Sequence, residues 1–148
     1  MAPFQFALSP VLQLRERAVE AAQEELGQTV RARAEAEAAV ETAAAAFAEH
    51  VAAGAKGRTV RQLGHAATHR DSLARQLEAA RRVADRLRAD ETRARRALAD
   101  TLREREALTV LRTEAADAHR ANAHRIEVAA LDELASAGRA ARALSVHS

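Results

Sequence analysis

The sequence contains no cysteine, no tryptophan and no tyrosine, and phenylalanine occurs only at Phe4, Phe6 and Phe47. Without cysteine there is no disulfide framework and no thiolate metal site. With so few aromatics a rounded globular core is excluded in practice, because compact domains bury several large rings. Proline occurs twice, at Pro3 and Pro10, so nothing after Pro10 breaks a helix by losing its N–H. No run approaches the 18 or so uncharged apolar residues that span a bilayer. The opening Met1-Ala2-Pro3-Phe4-Gln5-Phe6 has neither a basic segment nor a continuous apolar one, so no secretory signal is expected and the default compartment is the cytoplasm.

What is present is Ala, Arg, Glu and Leu. Hydrophobic residues make up 48% of the chain, but most are alanine, which buries little area per side chain. Such a composition signals long helices that meet along a thin seam. The net charge is +2 and the pI is about 10.2. Both follow from 23 basic residues of which Lys56 is the sole lysine, since arginine keeps its charge far above neutrality.

Ser9-Pro10 is a helix start, with Ser as cap and Pro in the first turn. Apolar residues then recur every seven positions at Leu12, Val19, Leu26, Val40 and Phe47, with Arg33 where the next one is due. A companion row of Ala22, Thr29, Ala36 and Ala43 would allow close approach of a second helix. Gly27 reads as a tolerated surface glycine. Gly54-Ala55-Lys56-Gly57-Arg58 is the one break, and Thr59-Val60-Arg61-Gln62 follows with capping-box spacing. The second helix carries a seam of Leu73, Leu77, Ala80, Ala84, Leu87, Ala94, Leu98, Thr101 and Leu108, interrupted by Glu91 and Arg105. Surface pairs Asp71–Arg75, Glu78–Arg82 and Glu91–Arg95 stand four apart.

The expected fold is therefore all-α: a long antiparallel two-helix coiled-coil hairpin with a longer second helix. Helix 1 spans about 10–53, the loop 54–59, helix 2 about 60–137, and a frayed tail 138–148, with Gly138 as the stop. At 1.5 Å per residue the helices are roughly 65 and 115 Å long. The second should outrun the first beyond about residue 105, leaving Leu108, Val110, Leu111, Ile126, Val128, Leu131 and Leu134 short of cover and in need of a partner.

Chemistry is scarce. His65 and His69 share a helical face, but there is no HExxH general base and no third ligand, so no metal site is expected. No cofactor loop and no isolated carboxylate pair appear, and an enzyme is not expected. In residues 70–105 the arginines are interleaved with acids and no aromatics are available for stacking, which argues against a nucleic-acid partner.

The stretch Phe4-Gln5-Phe6-Ala7-Leu8-Ser9-Pro10-Val11-Leu12-Gln13-Leu14-Arg15-Glu16 resembles the opening of the flagellar FliJ family, an F-x-F-x-L-x-x-x-L-x-x-R-E pattern. Arg125-Ile126-Glu127-Val128-Ala129-Ala130-Leu131-Asp132-Glu133-Leu134-Ala135 resembles that family's close, with Ala129-Ala130 where Gln-Lys is usual. The resemblance implies a non-enzymatic central stalk of the flagellar type III export apparatus. Its partners would be the hexameric export ATPase, the cytoplasmic domain of the export gate and export chaperones. It would sit in the cytoplasm, peripherally at the inner membrane of the flagellar base, without inserting. On this resemblance the ATPase-ring contact set is Phe4, Phe6, Leu8, Leu12, Arg15, Glu127, Leu131, Asp132 and Glu133, the alternative being that these residues staple the two chain ends together, and the gate contact lies in the neighbourhood of Ala43 to Leu77. Rivals are a virulence-type secretion stalk, a peripheral stalk of a rotary ATPase, and a nucleic-acid-binding helical protein.

Overall fold

The heptad stripe and the single glycine break translate into two helices, α1 over Ser9–Ala53 and α2 over Val60–Val146, in a computed structural model that describes residues 2–147. There is no strand among the described residues, and α2, at 87 residues against 45, is the longer arm of the hairpin.

The helices differ in charge as well as length. α1 carries eight Glu against four Arg, a net −4, whereas α2 carries 17 Arg against 13 acids, a net +4. Opposite signs favour pairing α1 with α2 over pairing either with itself.

The chain divides into two units. The first, Arg17–Leu102, holds the connection and the paired helices around it. Its seam is the one the spacing predicts. Val19, Thr29 and Ala36 are buried on α1, and Leu73, Leu77, Ala84, Glu91 and Ala94 on α2. Leu26, Val40, Phe47, Ala80 and Leu87 are half-buried beside them. Thr29 satisfies its hydroxyl by donating to the Glu25 carbonyl at 2.8 Å, so it occupies the seam with no orphan polar group. Cross-helix ion pairs join Arg33 to Glu91 and Glu37 to Arg88. The partners rise along α1 as they fall along α2, which fixes the antiparallel sense. Of the three surface pairs expected at four-residue spacing only Glu91–Arg95 forms; Asp71 lies 3.8 Å from its neighbour Arg70 instead.

The connection is specified locally. Gly54 and Gly57 adopt φ of 64° and 77°, where a side chain is disfavoured. Gly54 N–H donates back to Val51 O at 3.2 Å and closes α1. Thr59 and Gln62 form a reciprocal capping box: the Thr59 N–H donates to Gln62 Oε1 at 2.9 Å, and the Gln62 N–H donates to Thr59 Oγ1 at 3.2 Å.

The second unit comprises the described parts of Met1–Glu16 and Arg103–Ser148. Two expectations are corrected here. The first concerns the start of α1. The Leu8 carbonyl accepts the Leu12 N–H at 2.9 Å, so Leu8 and not Ser9 stands at the cap. The Ser9 N–H donates to Phe6 O at 3.0 Å in the turn before it. The second concerns the end of α2, which runs through Gly138 to Val146 in place of the frayed tail. Gly138 keeps a helical φ, unlike the two loop glycines. Its neighbours Ala135, Ala137, Ala140 and Ala141 are strong helix formers, and one glycine costs only about 1 kcal/mol against them.

Thr59→Ala is expected to lower stability by about 1 kcal/mol, and Gly54→Ala by about 1–2 kcal/mol because of its positive φ. Gly27→Ala is expected to raise it by about 0.5–1 kcal/mol, since the new Cβ meets only Arg31 Nη1 at 3.8 Å. Urea unfolding followed by circular dichroism measures all three.

Candidate functional site

The residues expected to act at the termini fall into two groups that the structure keeps apart. Residues 2–8 are not helical, yet they are held against α2. Phe4 and Phe6 are half-buried, and the Phe4 ring lies 5.6 Å from the His119 ring at 50°. A groove of about 380 Å³ is lined by Phe4, Gln5, Phe6, Ser9 and Arg112. Leu12 is buried at 5% exposure, and Arg15 donates to Glu104 Oε2 at 2.6 Å. Ring packing, an aliphatic knob and a charge-assisted bond thus staple the N-terminal segment to the stretch of α2 from Glu104 to His119. Leu8 stays exposed.

The second group lies further along α2. Glu127, Leu131, Asp132 and Glu133 are all exposed and make no hydrogen bond or ion pair among the described residues. Glu127, Leu131 and Leu134 share one helix face by their spacing. Leu131 is 65% exposed and Leu134 70%, with Ile126 and Val128 also open. Glu127, Asp132, Glu133, Arg125 and Arg139 stand among these aliphatic side chains along the same stretch of helix. The face can take up an apolar partner surface and read its charge at the edges. Among the described residues no three His, Asp or Glu side chains are grouped to hold a metal ion, and no helix is long and apolar enough to cross a membrane.

A different cluster escaped the sequence reading. Arg33 and Glu91, each an interruption of its own seam, meet each other. Arg33 Nε contacts Glu91 Oε2 as a charge contact rather than an aligned hydrogen bond. Glu91 accepts further bonds from Arg95 Nη2 at 2.7 Å and Nε at 3.2 Å. Arg33 also reaches Glu37 at 3.0 Å, and Glu37 accepts from Arg88 Nε at 3.1 Å. Arg88 also donates to Asp85 at 2.8 Å, so six charges form one network across the seam, with the Glu91 side chain only 11% exposed. The Arg95 hydrogen bonds hold the Glu91 carboxyl below the usual glutamate range against the opposing effect of burial, with the Arg33 charge adding to them. Glu37 is held low chiefly by its bond from Arg88. The signal available in the sequence was that the two seam interruptions carry opposite charges and fall near the same level of an antiparallel pair. Near the turn, His69 faces His50 with rings 4.8 Å apart at 85°, and His50 Nε2 lies 2.9 Å from Ala66 O.

Residues 4–143 match the sequence model of the family described as Flagellar FliJ protein, nearly the whole chain including both terminal motifs. The chain belongs to the flagellar FliJ family. It is thereby a protein of flagellar export, in a family of structural or chaperone-like members that is not known for enzymes, and its partners lie in the flagellar export apparatus. Comparison with the curated proteins and with solved structures finds no match.

Two outcomes are expected for the Arg33–Glu91 network. Because Glu91 and Glu37 have folded-state pKa values below their ordinary 4.5, their contribution is present above that value and is lost as pH falls through the folded-state values. Glu91→Gln is therefore expected to flatten the fall in melting temperature on acidification below the ordinary glutamate value. In thermal melts at neutral pH, Arg33→Leu alone is expected to lower the melting temperature by leaving Glu91 in the seam without its cross-helix partner. The double variant Arg33→Leu/Glu91→Leu recovers that loss.

Proposed function

We propose that this FliJ member is a non-enzymatic central stalk of the flagellar type III export apparatus. The far part of α2 enters the hexameric export ATPase ring, and the hairpin couples the ring to the export gate, with escort of export chaperones as an associated role. The observation that carries this reading is the open face that Leu131 and Leu134 share, with Ile126 and Val128 exposed to either side of it. It lies on the part of α2 beyond the stretch that Phe4 and Arg15 contact. A soluble helix that exposes a row of aliphatic side chains is stabilised by burying them in a partner, and the pore of a ring is a place that buries them on several sides. The flagellar family match favours this system over a virulence-type one.

Within the set proposed for ring contact, two roles are separated. Phe4, Phe6, Leu12 and Arg15 hold the chain ends together, and Leu8, Glu127, Leu131, Asp132 and Glu133 present the contact surface. The gate contact is placed between residues 43 and 77. Paired helices are stiffer than a flexible linker, which supports a coupling role.

Co-purification with the export ATPase tests the reading. The wild-type chain is expected to bind the ATPase, promote hexamers and raise hydrolysis. Leu131→Asp/Leu134→Asp is expected to weaken binding by about a hundredfold, the scale of one or two hot-spot side chains. Both positions are exposed, so helical content by circular dichroism should not change. Wild-type chain that neither binds nor stimulates, or a double variant that binds as well as wild type, contradicts the reading.

A further inference from the structure

The turn end of the hairpin lies in the longest stretch of the chain from which acid is missing. Residues 50–70 contain Lys56, Arg58, Arg61 and Arg70 and no Asp or Glu. The whole chain is net +2, so +4 here leaves the remainder at −2. Elsewhere most arginines stand among carboxylates in sequence, and Arg15, Arg33, Arg88, Arg93, Arg95 and Arg120 each pair with one. Lys56, Arg58 and Arg61 make no ion pair among the described residues, and Arg70 has only the long 3.8 Å approach of Asp71. Free guanidinium groups with no neighbouring acid create a positive potential that attracts and orients an anionic partner.

The shape of this end adds a second constraint. A groove of about 260 Å³ opens between the end of α1 and the start of α2. Its apolar wall is Val51, Leu63, Ala66 and Ala67, and Arg58 and Arg70 stand on it as the charged members. Val51 and Leu63 are exposed, although the seam close by buries Leu73 and Leu77. The groove therefore offers aliphatic surface inside and cationic groups around it. Bare phosphate backbones would leave the aliphatic wall unused, and residues 50–70 hold no Phe, Tyr or Trp on which nucleic-acid bases could stack. An acidic protein segment that carries an aliphatic side chain satisfies both features: carboxylates pair with Arg58, Arg70 and their neighbours, and the aliphatic group fills the groove.

We infer that the turn end of this hairpin is a docking surface for an acidic, aliphatic-anchored segment of a partner protein, with Arg58 and Arg70 reading its carboxylates and Val51 and Leu63 seating its anchor. The inference rests on the reading that puts a gate contact between residues 43 and 77, and it names the chemistry that contact uses.

Fluorescence anisotropy with the full-length chain tests it, using a labelled peptide of Glu, Leu and Ser. Two control peptides replace Glu by Gln or Leu by Ser. The Glu/Leu peptide is expected to bind, and each control to bind about tenfold more weakly. Arg58→Glu/Arg70→Glu and Leu63→Asp are each expected to lose about tenfold, while Arg142→Glu, far along α2, leaves binding unchanged. All these positions lie outside the buried seam, and circular dichroism verifies that each variant keeps its helix. The inference is overturned if the Gln peptide binds as well as the Glu peptide. It is also overturned if duplex DNA or phosphatidylglycerol vesicles bind as tightly as the Glu/Leu peptide, since the surface then attracts any polyanion. Binding to the isolated gate cytoplasmic domain separates the two layers. A gate domain that ignores the wild-type chain defeats the gate reading, and the peptide series still judges the surface. A gate domain that binds wild type and Arg58→Glu/Arg70→Glu equally defeats the inference and leaves the gate reading standing.

Discussion

The constraint on which this structure depends is the thinness of its seam. With so few aromatics and so much alanine, the buried row on each helix is made of small or single aliphatic side chains. Alanines allow close approach but pack almost equally well after a slip of one heptad, because one methyl group resembles the next. Such a seam needs something that penalises the wrong register. The Arg33–Glu91 contact supplies it. A displaced pairing would bury one charge against a methyl group, and an unpaired buried charge costs far more than a lost methyl contact. The flanking bonds from Arg95 to Glu91 and from Arg88 to Glu37 hold both carboxylates in place for that contact.

The same logic explains which features could be read in advance. The turn and the seam are local signals. Gly54, Thr59 and Gln62 act through bonds within a few residues of themselves, and Leu73, Leu77, Ala84 and Ala94 repeat at steps that one helix alone reveals. Arg33 and Glu91 could not be recognised that way. On either helix alone each is a defect, and only the alignment of two helices turns two defects into one contact. The N-terminal staple has the same character: Phe4 finds His119 and Arg15 finds Glu104, across about a hundred residues of sequence. Gly138 was misleading for the opposite reason. A glycine at a plausible helix end resembles a stop, but without a left-handed φ or a following break it is only a weak point in a strong helix. His69 was matched with His65 by spacing, whereas its ring neighbour is His50 on the other helix.

Function in this chain is a matter of which surfaces the fold leaves unused. The staple uses Phe4, Phe6, Leu12 and Arg15 to hold the ends, and Ile126, Leu131 and Leu134 of α2 stay open beyond it. At the turn, charge is left over instead: Lys56, Arg58 and Arg61 make no ion pair among the described residues and stand near a small apolar groove. A two-helix seam has no deep cleft from which water could be excluded for catalysis. It does offer exposed aliphatic and cationic surfaces along its helices, which a protein of flagellar export can present to partners.

The most direct measurement of the central claim is amide hydrogen exchange along the full chain, alone and with the export ATPase. Amides within the buried seam of Val19–Ala36 and Leu73–Ala94 should exchange slowest in the free chain, and those of residues 120–146 fastest among the helical ones. On addition of the ATPase, the account expects protection to rise in residues 126–134. Protection that appears elsewhere while residues 126–134 exchange as before would contradict it.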